Sequence, residues 1–137
     1  MQEEDTDAYE GMSLHEISFK KTHKDLKHMS AIIYNVTCNM KPSIEERWLE
    51  WVKECIPRVL GTGLFMDARL TRVLVEDEDS SSTFSVQYKA IDRNALNIYL
   101  SEYAEKFRKE GFEEFGDNVL SFRTELEMID EYRVNLK

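Results

Sequence analysis

Residues 31–39, AIIYNVTCN, alternate with the two-residue period of a β-strand: Ile32, Tyr34, Val36 and Cys38 point to one side, and Ile33, Asn35, Thr37 and Asn39 to the other. The period then changes. In KPSIEERWLEWVKECIPRVLGTG, the positions Ile44, Trp48, Trp51/Val52, Cys55 and Val59 follow helical spacing, with Ser43 as the predicted N-cap and Glu46 closing a capping box. Pro57 is expected to kink or interrupt this helix near Cys55, and Gly61 and Gly63 to end it. LFMDARLTRVLVE (64–76) reads as a second strand, EDEDSSST (76–83) as a solvated turn, and TFSVQYKAI (83–91) as a third strand. Asp92 can cap a second helix with the apolar stripe Leu96, Tyr99/Leu100, Tyr103 and Phe107, ending before Gly116. NVLSFRTELEMI (118–129) completes the pattern as a fourth strand.

The order β-α-β-β-α-β, with the middle strands joined as a hairpin, predicts an α+β, ferredoxin-like domain: a four-stranded antiparallel sheet with both helices on one face. Such a sheet leaves its other face open. Tyr34, Val36, Cys38, Phe84, Val86, Tyr88, Leu120, Phe122 and Leu126 are assigned to the covered side. The opposite register places Asn35, Thr37, Asn39, Ser85, Gln87, Lys89, Ser121, Arg123, Glu125 and Glu127 on the open side, joined by Arg69 and Thr71. A merely solvated face would be richer in Lys and Glu. Short amides and hydroxyls make directional hydrogen bonds and suit an enclosed cavity or an interface. Asn35, Thr37, Arg69, Ser85, Gln87, Arg123 and Glu125 are therefore the expected ligand-facing or interface residues.

Residues 1–29 differ in kind. Their first ten residues are acidic with almost nothing to bury, and 13–28 have the spacing of a short amphipathic helix; the chain thus divides into a leader (1–29), largely disordered or a short helix, and a domain (30–137). His15, His23 and His28 all fall in the leader with no zinc spacing, so the predicted domain lacks histidine and with it Ser–His, Cys–His and His-based acid–base chemistry. The acidic run at 76–79 lacks the glycine and distal glutamate of an EF-hand loop, and neither a metal nor another cofactor is expected. A formal net charge of −9 argues against nucleic-acid binding and against adhesion to anionic membranes. Cys38 and Cys55 both sit at apolar positions, which predicts reduced core thiols. With no apolar run near the roughly 20 residues of a membrane span, a cytoplasmic location is expected.

IIYNVT (32–37), TGLF (62–65), SVQY (85–88) and FRTELE (122–127), in that order and spacing, resemble a family of small bacterial proteins whose domain has no assigned function. The resemblance covers about residues 31–128 and implies a domain of the dimeric α/β-barrel type, in which two open sheet faces meet. It brings no reaction with it.

Two functional readings stand on this basis. One is a non-catalytic homodimer that binds a small molecule or a protein through its polar sheet face. The alternative is a cofactor-independent oxygenase, isomerase or lyase acting on a small organic substrate in the dimer interior. In that case Arg123 holds an anionic oxygen, Glu125 moves a proton, and Asn35, Gln87 or Tyr88 orients the substrate.

Overall fold

The computed structural model describes residues 30–74 and 80–135. The leader expected at 1–29, with its helix and histidines, and the whole acidic run of the turn at 76–79 lie outside the described residues. Strand β1 (Ile32–Met40) leads into helix α1 (Pro42–Leu60), followed by the hairpin of β2 (Phe65–Arg72) and β3 (Ser82–Ala90). Helices α2 (Arg93–Glu102) and α3 (Ala104–Phe115), a short 3-10 turn at Gly116–Asn118 and β4 (Val119–Glu127) complete the domain. The strands pair antiparallel in the order β2-β3-β1-β4. This is the ferredoxin-like arrangement that the element order predicts.

Three local expectations are corrected. The first concerns the start of α1. The helix begins at Pro42, whose fixed φ suits the first helical position, with Lys41 at the N-cap and no side-chain cap. Ser43 is thus already inside the first turn. Glu45 there accepts from Arg72 Nη2 at 3.0 Å and Ser82 Oγ at 2.8 Å, tying α1 to the β2–β3 hairpin.

The second concerns Pro57. Helix α1 runs unbroken through it to Leu60. Pro57 and Lys53 are both exposed near the C-terminal end, so water can take up the carbonyl that the missing N–H leaves unpaired.

The third concerns the second helix, which is two. Tyr103, at φ −126° and ψ −34°, separates α2 from α3. The predicted stripe survives the break, because Tyr103 and Phe107 each stack against Tyr99 with centroids 6.3 Å apart. The predicted Asp92 cap is present, accepting from the Ala95 N–H at 2.8 Å.

Helix α1 supplies Trp48, Val52, Cys55 and Val59 to the core, α2 supplies Leu96 and Tyr99, and the sheet answers with Tyr34, Cys38, Phe84, Val86 and Tyr88. Trp48 stacks on Phe84 at 5.1 Å, and the Arg72 guanidinium lies 4.7 Å from the same ring. A bulge at Met66 shifts the β2 register, so that Phe65 faces the core while Arg69 and Thr71 pair with Gln87 and Ser85 on the open face.

Candidate functional site

The open face is built where β1, β2 and β3 run side by side. Asn35 pairs with Gln87, Thr37 with Ser85, and Arg69 with Gln87, so the predicted residues of these three strands share one surface. Their side chains are knitted together. Ser85 Oγ donates to Asn35 Oδ1, and Asn35 Nδ2 donates to Thr37 Oγ1 at 3.3 Å. Thr71 Oγ1 donates to the Ser85 carbonyl at 3.1 Å. Asn39 Nδ2 reaches both Ser81 Oγ at 2.8 Å and Thr83 Oγ1 at 2.9 Å. Satisfying one another laterally, these groups need no water layer, and Ser85 is buried on this face. Arg69 pairs with Asp67 at 3.4 Å, and Lys89 reaches Glu131 at 3.2 Å in the segment after β4.

Strand β4 overturns the rest of the face assignment. Its register pairs Thr37 with Phe122, Val36 with Arg123 and Tyr34 with Glu125. Directly opposed residues project to the same side, so Arg123 and Glu125 lie on the helix side, with Ser121 and Glu127. Leu120, Phe122 and Leu126 occupy the open face instead, beside Asn39, Thr37 and Ile33. Alternation defines the two sets of side chains but not which set looks inward, and one step of register exchanges them. Strand β4 lies at the sheet edge and is exposed over nearly its whole length, so it does not share the inward apolar pattern of β1 and β3.

The acid–base arrangement of the enzymatic reading is consequently not assembled. Glu125 Oε1 accepts from Arg93 Nη1 at 2.8 Å rather than facing Asn35 and Gln87. Tyr88, offered as an orienting group on that surface, is buried among the core aromatics.

Arg123 stands at a second feature, a cavity of about 360 Å³ between the sheet and helices α1 and α3. Trp51, Val52, Phe107 and Phe112 help to wall it, and Tyr34, Arg108, Ser121 and Arg123 bring polar atoms to it. Arg108 Nη2 donates to Tyr34 Oη at 3.2 Å, and Cys38 Sγ meets Ser121 Oγ at 3.4 Å. Both cysteines are unpaired and buried. Burial pushes the Cys38 thiol up, and the Cys55 thiol up to about 11. Burial likewise raises the phenols of Tyr88 and Tyr99. All four groups are uncharged at neutral pH, and neither cysteine is a thiolate nucleophile. Among the described residues no cluster of His, Cys, Asp and Glu is placed to hold a metal, and no helix is long and apolar enough to cross a membrane.

Architecture and comparison agree on the class: an α+β domain of the ferredoxin-like type. A solved dimeric ferredoxin-like protein from an uncultured marine organism superposes with a TM-score of 0.62 at 12% identity, covering 75% of this chain and 99% of its own. Residues 31–129 match the family model described as Domain of unknown function (DUF4286), and the chain belongs to that family. No curated protein matches the chain.

Proposed function

We propose that the chain is a homodimeric binding module in which the open sheet faces of two copies meet. One observation carries this reading: the inverted alternation of β4. Leu120, Phe122 and Leu126 are 54%, 62% and 44% exposed on the open side, while charged residues occupy the side toward the helices. A strand whose apolar row faces away from its own core is matched to a surface outside the chain.

Ile129, Tyr132 and Val134 in the segment after β4 are exposed as well, and the β4 row borders the hydrogen-bonded patch of Asn35, Thr37 and Ser85, with Gln87 and Arg69 beside it. A surface of apolar flank and internally satisfied polar centre is self-complementary under a two-fold axis, as an isologous interface requires. The neighbouring structure described as dimeric supports the same reading. The unpaired, buried thiols support a reducing compartment such as the cytoplasm.

Sedimentation at micromolar concentration tests the proposal. The wild type is expected at twice the chain mass of 16.2 kDa, and Phe122→Glu, which places a carboxylate in the apolar row, at the monomer mass with its fold retained. A monomeric wild type, or a Phe122→Glu protein that stays dimeric, would sink it.

A further inference from the structure

We infer that the cavity beneath the sheet is a binding site for a small monocarboxylate with an apolar, ring-sized body. The site lies within one protomer and on the opposite side of the sheet from the proposed dimer surface, so it does not depend on that surface.

Size and lining select the body. At about 360 Å³ the cavity is at the small end of the roughly 300–1,000 Å³ typical of ligand pockets, enough for one ring with a short chain. Its walls include the indoles of Trp48 and Trp51 and the rings of Phe107 and Phe112, flat surfaces on which an aromatic or alkyl group packs.

The charges select the head. Arg108 and Arg123 both border the cavity, and no Asp or Glu does. Most other arginines of the described residues are neutralised, among them Arg58 by Glu110 at 2.7 Å, Arg72 by Glu45 at 3.0 Å and Arg93 by Glu125 at 2.8 Å, while Arg47 donates to the Glu114 carbonyl and lies over the Phe115 ring. Arg108 has only the Tyr34 hydroxyl as a hydrogen-bond partner, and Arg123 forms no ion pair, among the described residues. Two guanidiniums left without carboxylates at the border of one apolar cavity are matched to an anion supplied from outside, and their planar forks suit a carboxylate. Tyr34 and Ser121 add hydroxyls beside them, while the buried thiols and phenols contribute no competing charge. A cationic ligand would meet only like charge here. Both arginines are exposed at the edge of the cavity, where a carboxylate on a body packed inside can reach them.

The chain's two tryptophans, Trp48 and Trp51, both line the cavity, so intrinsic fluorescence reports its occupancy directly. The probe is phenylbutyrate, compared with phenylbutanol, which keeps the body and lacks the charge. Fluorescence titration is paired with calorimetry on the full chain. Wild-type protein is expected to bind phenylbutyrate saturably, and phenylbutanol at least about tenfold more weakly. Arg123→Met and Arg108→Met are each expected to weaken phenylbutyrate about tenfold or more while leaving phenylbutanol unchanged. Lys53→Met, which removes one positive charge from the exposed face of α1, serves as the control and retains wild-type affinity. Thermal melts establish that each variant is folded, and should one arginine variant unfold, the other carries the test. The inference is overturned by the absence of saturable binding, by equal affinity for acid and alcohol, by arginine variants that bind like wild type, or by a Lys53→Met protein that loses affinity equally. Sedimentation of the same samples reads the dimer separately, so failure of one proposal is not mistaken for failure of the other.

Discussion

Gly111 shows how one missing side chain shapes the cavity. It sits inside α3, where glycine costs roughly 1 kcal/mol relative to alanine through the backbone freedom it surrenders on folding. A Cβ at this position would stand 3.2 Å from Cη2 of Trp51, closer than carbon atoms ordinarily pack. Whether alanine helps or harms therefore depends on whether the indole can yield. Trp51 is only partly buried and borders the cavity, so it has open space beside it. The helix-propensity gain is expected to win. Gly111→Ala should stabilise the protein by up to about 1 kcal/mol in denaturant unfolding, with the Trp51 ring displaced and the tryptophan emission altered. A destabilised Gly111→Ala protein would instead show that the indole is locked, its edge-to-face contact with Phe115 at 5.8 Å being the candidate lock.

Among the elements, those with a packing stripe or an alternating core row were legible in the sequence, and the edge strand was not. Ile32 to Met40 and Phe84 to Ala90 alternate with their apolar sets inward because both strands lie at the centre of the sheet, under the helices. Strand β4 alternates just as cleanly, yet its apolar set faces out. The sign of an alternation comes from pairing register and from what lies opposite, and neither is local. Asn35, Thr37, Arg69, Ser85 and Gln87 therefore share the open face as their alternation predicts, while Arg123 and Glu125 lie on the helix side, opposite to what theirs predicts. The cavity itself left no motif, because its lining is drawn from both central strands, β4 and all three helices.

Pro57 marks a different limit: it removes a helix hydrogen bond as its chemistry predicts, yet the helix continues to Leu60 because the freed Lys53 carbonyl lies on an exposed face. Replacing Pro57 with alanine restores one exposed helix hydrogen bond, worth about 1 kcal/mol, and loosens the unfolded chain by about 0.4–1 kcal/mol. The two oppose each other. Pro57→Ala should thus shift stability by less than about 1 kcal/mol in denaturant titration, against the ~3 kcal/mol gain expected where a proline breaks a helix interior.

At the scale of the whole molecule, charge and surface act in opposite directions on self-association. Each copy carries a formal charge of −9, so two copies repel as they approach. The surface proposed to join them has little of that charge. Its positive groups are matched by neighbouring acids, Arg69 by Asp67 and Lys89 by Glu131, and its flank is the apolar row of Leu120, Phe122 and Leu126. Short-range burial should then drive pairing, and long-range repulsion should oppose it. Salt acts on these two unequally. Raising ionic strength from 0.01 M to 0.15 M shortens the screening length from about 30 Å to about 8 Å, which removes most of the repulsion between surfaces without touching apolar contacts. Dimerisation measured by sedimentation equilibrium is accordingly expected to strengthen over that range and then to level off, because the remaining affinity comes from burial. An interface held by complementary charges behaves in the opposite way, weakening steadily as salt is added. A dimer that dissociates with rising salt would therefore move the contact away from the apolar row of β4 and toward the charged helices.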